Sequence, residues 1–269
     1  MKRITKWLLS LLAVTVIISC STVAFTGRQR MLLYSNSEIS SLSAQSYYEF
    51  MSTAAPSTNV TQTALIREVG NRLSKALDQY LASKGQSDIL NNIKWEFYLV
   101  RSTQANAFCL PDGKVVFYEG IMPVLSTPDM IAVVMSHEMG HAIARHGNER
   151  MTQQTLTNLV GAVTGQVIEQ KTSENGRAIF ETAYTIGSQY GYLLPYSRKH
   201  ELEADEIGLY IMAIAGFDID QAPLLWERMA QASNTYVPEV LSTHPSDTRR
   251  MKNLEKLLEK ARKYNMEGK

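Results

Sequence analysis

The stretch VVMSHEMGHAIARH, residues 133–146, sets three histidines and a glutamate inside an otherwise apolar run. Just ahead of it, Thr127-Pro128-Asp129 combines a capping hydroxyl, a proline at the first helical position and an acid against the positive end of the helix dipole. The pattern predicts a buried helix from about Pro128 to Gly147. Polar groups placed there are costly unless each finds a partner. On such a helix His137 and His141 differ by about 40° around the axis and about 6 Å along it, so both rings can reach one ion. Glu138, about 100° further round, stands beside that ion and not on it. This is the H-E-x-x-H spacing in which two neutral histidines hold Zn²⁺ and the glutamate takes a proton from the activated water. His146 lies nine residues beyond His137. That places it about 180° away on a continuous helix, so it is read as a structural or supporting residue.

A catalytic zinc needs a third protein ligand and an open position for water. His200, Glu201, Glu203, Asp205 and His244 are the candidates that follow the helix. HEMGH at 137–141 followed by HELEADEIG at 200–208 resembles the gluzincin metallopeptidases. These include the CAAX prenyl protease, HtpX, the mitochondrial Oma-type protease and, most similar in layout, the bacterial periplasmic lipoprotein peptidases LoiP and BepA. The resemblance runs from about residue 60 to 260. It takes in Asn106-Ala107-Phe108 before a glycine-containing turn, and His244-Pro245 ahead of a last helix that carries Arg250.

Several site roles follow from that resemblance. The family's E-x-x-x-D motif supplies the third metal ligand from its glutamate, which maps onto Glu201, and its aspartate maps onto Asp205. Helix geometry agrees, because residues 201 and 205 share a face, leaving Asp205 to orient a ligand while Glu201 meets the metal. Glu203 faces almost the opposite way, and His200 is the main rival as ligand. His244 corresponds to a histidine that can cover or regulate the zinc site. It could equally donate a hydrogen bond to the oxyanion, or be a plain loop histidine before a helix cap. Asn106, Ala107 and Phe108 match an edge strand on which a substrate peptide adds through main-chain hydrogen bonds, a mode that favours extended or unfolded segments. Cys109 beside them reads as a packed structural thiol.

The implied fold class is α+β, mainly α: a gluzincin-type zinc peptidase domain with a small antiparallel sheet beside the active-site helix. The pattern along the chain agrees. Helical spacing covers 37–54 and 60–81, separated by Pro56. Alternation marks strands at 93–100, 107–110 and 115–118, with Pro111-Asp112-Gly113 as a turn. Helical patterns return at about 151–168, 177–190, 198–215 (capped by Ser197), 219–232 and 247–264.

The 269 residues are 45% hydrophobic and 20% charged, an ordinary globular composition that excludes disorder, collagen and a disulfide scaffold. The first twenty residues differ. Lys2, Arg3 and Lys6 precede an apolar run from Trp7 to Ser19 that is short for a membrane span. Ile17-Ile18-Ser19-Cys20 resembles a bacterial lipobox, so cleavage before Cys20 and lipidation of its thiol are expected. Ser21 in place of an aspartate favours the outer membrane, facing the periplasm. The expected organisation is a lipoprotein signal peptide at 1–19, a tether at 20–35 and a single metallopeptidase domain at 36–269. With Cys20 lipidated, Cys109 is left alone and no intramolecular disulfide can form. Removing three basic residues takes the formal net charge from +1 to about −2, and no basic patch points to nucleic acid.

The expected protein is a membrane-anchored endopeptidase with one Zn²⁺ per chain. Its substrates are unfolded or misassembled envelope polypeptides, and its role is their quality control. The alternative is a non-catalytic, zinc-containing chaperone or assembly factor for envelope proteins. Glu138 argues against it, because a purely structural zinc has no use for a base there.

Overall fold

The computed structural model describes residues 20–163, 197–232, 244 and 248–267. Strands β1 (Cys20–Thr22) and β2 (Gln29–Met31) form a hairpin, followed by helices α1 (Asn36–Thr53) and α2 (Val60–Ser83). Strands β3 (Glu96–Val100), β4 (Ala107–Cys109) and β5 (Lys114–Tyr118) come next. Helices α3 (Pro128–Ile143), α4 (His146–Val163), α5 (Arg198–Ile214), α6 (Gln221–Ala232) and α7 (Thr248–Glu267) complete the described strands and α-helices. The class is α+β and mainly α, as expected.

Helix α3 is the axis of the domain. Every residue from Met130 to Ile143 is buried, because α2, α5, α6 and β4 pack around it. A helix apolar on all sides is stable only when surrounded in this way. Its start is built as the sequence predicts: Thr127 Oγ1 accepts the Met130 N–H at 3.2 Å, and Pro128 holds the first position. Asp129 also accepts the Asp218 N–H at 2.8 Å, which ties the segment after α5 to the head of α3.

Helices α3 and α5 pass each other at backbone distance. A Cβ on Gly140 would lie 2.9 Å from Ala204 O, and one on Gly208 would lie 3.1 Å from His137 N. Each helix thus presents a glycine to the other's main chain, close enough for a side chain on α5 to reach the histidines of α3.

The far end of α3 departs from the expectation of one helix running to Gly147. The helix stops at Ile143 and Arg145 takes a left-handed conformation, φ 53°. That is a C-terminal cap geometry, uncommon for a residue other than glycine. The freed carbonyls are met from outside: Arg30, buried, donates to Ala144 O and to Ile143 O, the latter at 3.4 Å. A cation at this end also opposes the helix dipole. The chain then turns, and His146 opens α4 in a new direction.

The sheet is mixed and not wholly antiparallel. β4 and β5 form the expected antiparallel hairpin, Ala107 opposite Phe117 and Cys109 opposite Val115, turned by Gly113 at φ 94°. β3, however, pairs in parallel with β5, Glu96 beside Lys114 and Val100 beside Tyr118. The strand order is β3-β5-β4. Residues 101–106 carry the chain from one edge to the other, and β5 returns between them in the direction of β3.

The stretch 20–35 is not a loose tether. Val23 is buried in the main core, and Phe25 lies among Tyr80, Tyr210 and Tyr264 with ring centroids 6.0–6.2 Å away. Apolar burial and the two arginines Arg28 and Arg30 seat the hairpin on the domain. Cys109 is a free, buried thiol, and burial pushes its pKa well up. The expected signal peptide at 1–19, the helix expected over 177–190 and the end of the one expected over 151–168 fall outside the described residues. Among those described, no helix is long and apolar enough to cross a membrane.

Gly140→Ala places a methyl against the Ala204 backbone. The clash is expected to exceed the gain of up to about 1 kcal/mol in helix propensity and to destabilise the domain by about 1–3 kcal/mol, read by denaturant unfolding.

Candidate metal centre

Four side chains converge beside α3: His137, His141, Glu201 from α5, and His244. All are buried, and each offers one atom within 4.8 Å of the others. His137 Nε2 is 3.1 Å from His141 Nε2 and 3.4 Å from Glu201 Oε2. His141 Nε2 is 3.4 Å from Glu201 Oε1. His244 Nδ1 is 3.3 Å from His137 Nε2 and 3.1 Å from Glu201 Oε1.

These separations fit a metal. Ligands about 2.0–2.1 Å from a tetrahedral zinc are about 3.3 Å from one another. Ring nitrogens and carboxylate oxygens this close in a dry site must share protons or a cation between their lone pairs. Glu138 Oε1 is buried and, among the described residues, accepts no hydrogen bond. Two imidazoles and a carboxylate are the donor set of a catalytic zinc.

Charge around the cluster is arranged in pairs. Burial alone would lower His137, but hydrogen bonding to Asp205 and Glu201 outweighs it and raises its pKa to about 9. Its Nδ1 donates to Asp205 Oδ1 at 2.9 Å, the orienting contact predicted for that aspartate. A divalent cation would compete with the proton on the other nitrogen, so metal binding releases protons here. Arg250 forks onto Asp205 at 2.7 and 2.8 Å and reaches Glu201 Oε2 at 3.0 Å. It also donates to His244 O at 3.2 Å and stacks on Trp226, 4.0 Å from the ring centroid. Burial would raise both carboxylates. The charges of His244 and Arg250 hold Glu201 well down, and Arg250 with His137 holds Asp205 below its ordinary value.

The rejected candidates stand elsewhere. His200 stacks on His146, centroids 4.4 Å apart, with its Nε2 3.3 Å from Glu149. Glu203 turns from the donor cluster to His146 and Arg28. His146 does not point away, as one continuous helix would require. The break after Ala144 brings its Nδ1 to 2.9 Å from His141 Nδ1, behind the candidate ligand. Burial, helped by the charges of His141, His200 and Arg28, depresses its pKa strongly. The residue that turns the chain is Arg145, whereas the sequence pattern put the helix end at Gly147, two residues later, which would leave His146 on the helix.

Glu138 lies on the other side of the cluster, its Oε1 3.5 Å from His244 Nε2. Burial raises its pKa, although a hydrogen bond from the Cys109 backbone N–H opposes the shift. That contact places strand β4 beside the candidate base. Among the described residues β4 pairs with β5 alone. By the alternation of an antiparallel ladder, Ala107 and Cys109 turn their main-chain groups away from β5. Asn106 Oδ1 accepts the Ala107 N–H at 2.9 Å, and Phe108 packs in an aromatic cluster with Phe50 and Tyr118. All three residues proposed to meet substrate are buried.

A histidine pair on one helix, a glutamate from a second and a carboxylate beside them define a gluzincin-type metallopeptidase site on an α+β domain. The chain belongs to peptidase family M48, whose model matches residues 67–258. It is 36% identical over 191 residues to the mitochondrial metalloendopeptidase OMA1 of Schizosaccharomyces pombe, covering 70% of this chain and 53% of the relative. The human metalloendopeptidase OMA1 is 27% identical over 243 residues, 88% of this chain and 46% of the relative. The beta-barrel assembly-enhancing protease of Escherichia coli is 28% identical over 178 residues, 63% of this chain and 36% of the relative. The chain thus spans about half or less of the length of these relatives.

Arg250→Ala strands two buried carboxylates and is expected to destabilise the metal-free chain by about 3–5 kcal/mol, read by denaturant unfolding. Arg250→Lys should restore only part of this, because one ammonium cannot fork. Both carboxylates are held low in the folded state, so the stability they contribute is present above roughly pH 4–5 and lost as pH falls. The deficit of the Arg250→Ala chain should therefore narrow in acid.

Proposed function

We propose that the chain is a zinc-dependent endopeptidase, with one ion held by His137, His141 and Glu201. The observation that carries this reading is the buried Glu138 Oε1, which accepts no hydrogen bond beside a converging donor cluster. A purely structural site has no need of a carboxylate there. Bound zinc supplies Lewis acidity toward the scissile carbonyl and the attacking water. Glu138, its pKa raised by burial, takes a proton from that water and delivers it to the leaving nitrogen. Asp205 and Arg250 fix His137. A substrate strand lies along β4, where it must displace the side chain of Asn106 from the Ala107 N–H.

His244 supports a second element of the reading. Its Nδ1 stands within the donor set, where it can cover the position a catalytic metal keeps open. The same contact favours the rival reading, a zinc-containing chaperone or assembly factor with a permanently closed site. Substrates are proposed to be unfolded or misassembled envelope polypeptides, as main-chain recognition at a strand edge favours. The name of the Escherichia coli relative, a beta-barrel assembly-enhancing protease, supports a role in the envelope, whereas the OMA1 relatives are named mitochondrial. The basic start, short apolar run and Cys20 favour the bacterial reading: lipid anchoring, at the outer membrane facing the periplasm. Cys20→Ala should abolish acyl labelling of the processed chain.

Glu138→Gln should keep stoichiometric zinc and lose cleavage of casein by about 10²–10⁴-fold. Chelation should abolish cleavage by the parent chain. His244→Ala should cleave casein faster than the parent if His244 covers the site. A fall in kcat of about 10²-fold or more would instead assign it to the oxyanion. A zinc-loaded chain that cleaves nothing, with or without His244, is the chaperone.

A further inference from the structure

One buried network takes no part in the chemistry above: Arg28, Glu203, His146, Glu149 and His200. His141 turns Nε2 to the donor cluster, so a metal on that nitrogen leaves the ring proton on Nδ1. His146 Nδ1 lies 2.9 Å from it, and two ring nitrogens at that distance share one proton. His146 therefore accepts there and carries its own proton on Nε2, where Glu203 Oε2 is 2.9 Å away. Glu203 also accepts Arg28 Nε at 2.7 Å and the Thr26 hydroxyl at 2.5 Å. His141 donates to His146 and His146 to Glu203, and Arg28 donates to the same carboxylate from its other side.

We propose that His146 and Glu203, held by Arg28 of the N-terminal hairpin, are positioning residues that fix the tautomer and ring plane of His141. The seating of that hairpin is then felt at the metal centre. This rests on the metal-binding reading given above. The two histidines of the H-E-x-x-H pair are supported in parallel ways: His137 directly by Asp205 and Arg250, His141 through one interposed imidazole by Glu203 and Arg28. The interposed ring is itself fixed from its face by His200, stacked at 4.4 Å and 24°. Arg28 makes two further bonds to Glu149, at 2.8 and 2.7 Å, and Glu149 meets His200. The hairpin's other arginine, Arg30, caps α3 at the break that swings His146 into place. One hairpin, opening at Cys20, thus controls both the position of His146 and the charge behind it.

The test is zinc affinity by chelator competition and the visible spectrum of the cobalt-substituted full chain, neither of which needs turnover. His146→Ala and Glu203→Gln should each weaken zinc by about 10–100-fold and shift the cobalt bands. Arg28→Gln should do the same to a smaller extent. His146→Gln, whose amide oxygen can accept the His141 proton, should recover much of the loss. Arg28→Gln added to Glu203→Gln should cost little more than Glu203→Gln alone, as members of one chain of bonds do. Parental affinity and an unchanged cobalt spectrum in the folded variants overturn the proposal, as do additive losses without a spectral shift. If His146→Ala does not fold, Arg28→Gln decides, because Arg28 sits at the outer end with its side chain 14% exposed. A parent chain that binds no stoichiometric zinc overturns the metal-centre reading itself, before any variant is compared.

Discussion

The backbone contact between α3 and α5 is the constraint on which the centre depends. Gly140 faces the Ala204 carbonyl and Gly208 faces the His137 amide, so the two helices meet without intervening side chains. At that separation a glutamate on α5 can share a site with two histidines on α3. A methyl at either glycine would hold the helices apart and move Glu201 away from the pair. The near-complete burial of α3 has the same origin, since a helix can be approached this closely only where nothing protrudes.

Such burial requires every charge at the centre to be compensated. Arg250 serves Asp205 and Glu201 together and lies against Trp226, and Arg28 serves Glu203 and Glu149. Each arginine comes from an element outside the α3–α5 pair, one from α7 and one from the N-terminal hairpin. The centre is therefore closed electrostatically by the two ends of the described chain. Planar, forked guanidinium groups suit this task, because each must satisfy two carboxylates in fixed directions. The hairpin is held by apolar contacts as well, through Val23 and Phe25, which is why it behaves as part of the domain.

Much of this was readable from the chain. Residues four apart on a helix face one way, so His137 with His141, and Glu201 with Asp205, follow from spacing and the helical repeat alone. The Thr127-Pro128 start and the strand–turn–strand pattern around Gly113 are equally local. The assignment of Glu201 over His200 came from resemblance. In the structure Glu201 stands in the donor cluster, and His200 turns onto His146 and Glu149.

What the sequence determined is whatever depends on periodicity within one element: the helices, the hairpin around Gly113, the paired histidines and the glutamate beside them. Tertiary structure decided the rest. The parallel pairing of β3 with β5 depends on where a loop crosses, the seating of residues 20–35 on aromatic rings distant in sequence, and the place of His244 on packing around Arg250. His146 shows the difference most clearly. By helical repeat it points away from the ion, yet a left-handed Arg145, just after two carbonyls capped by Arg30 of the N-terminal hairpin, turns it back behind His141. A turn held by a contact that distant in sequence leaves no local mark on the residues that make it.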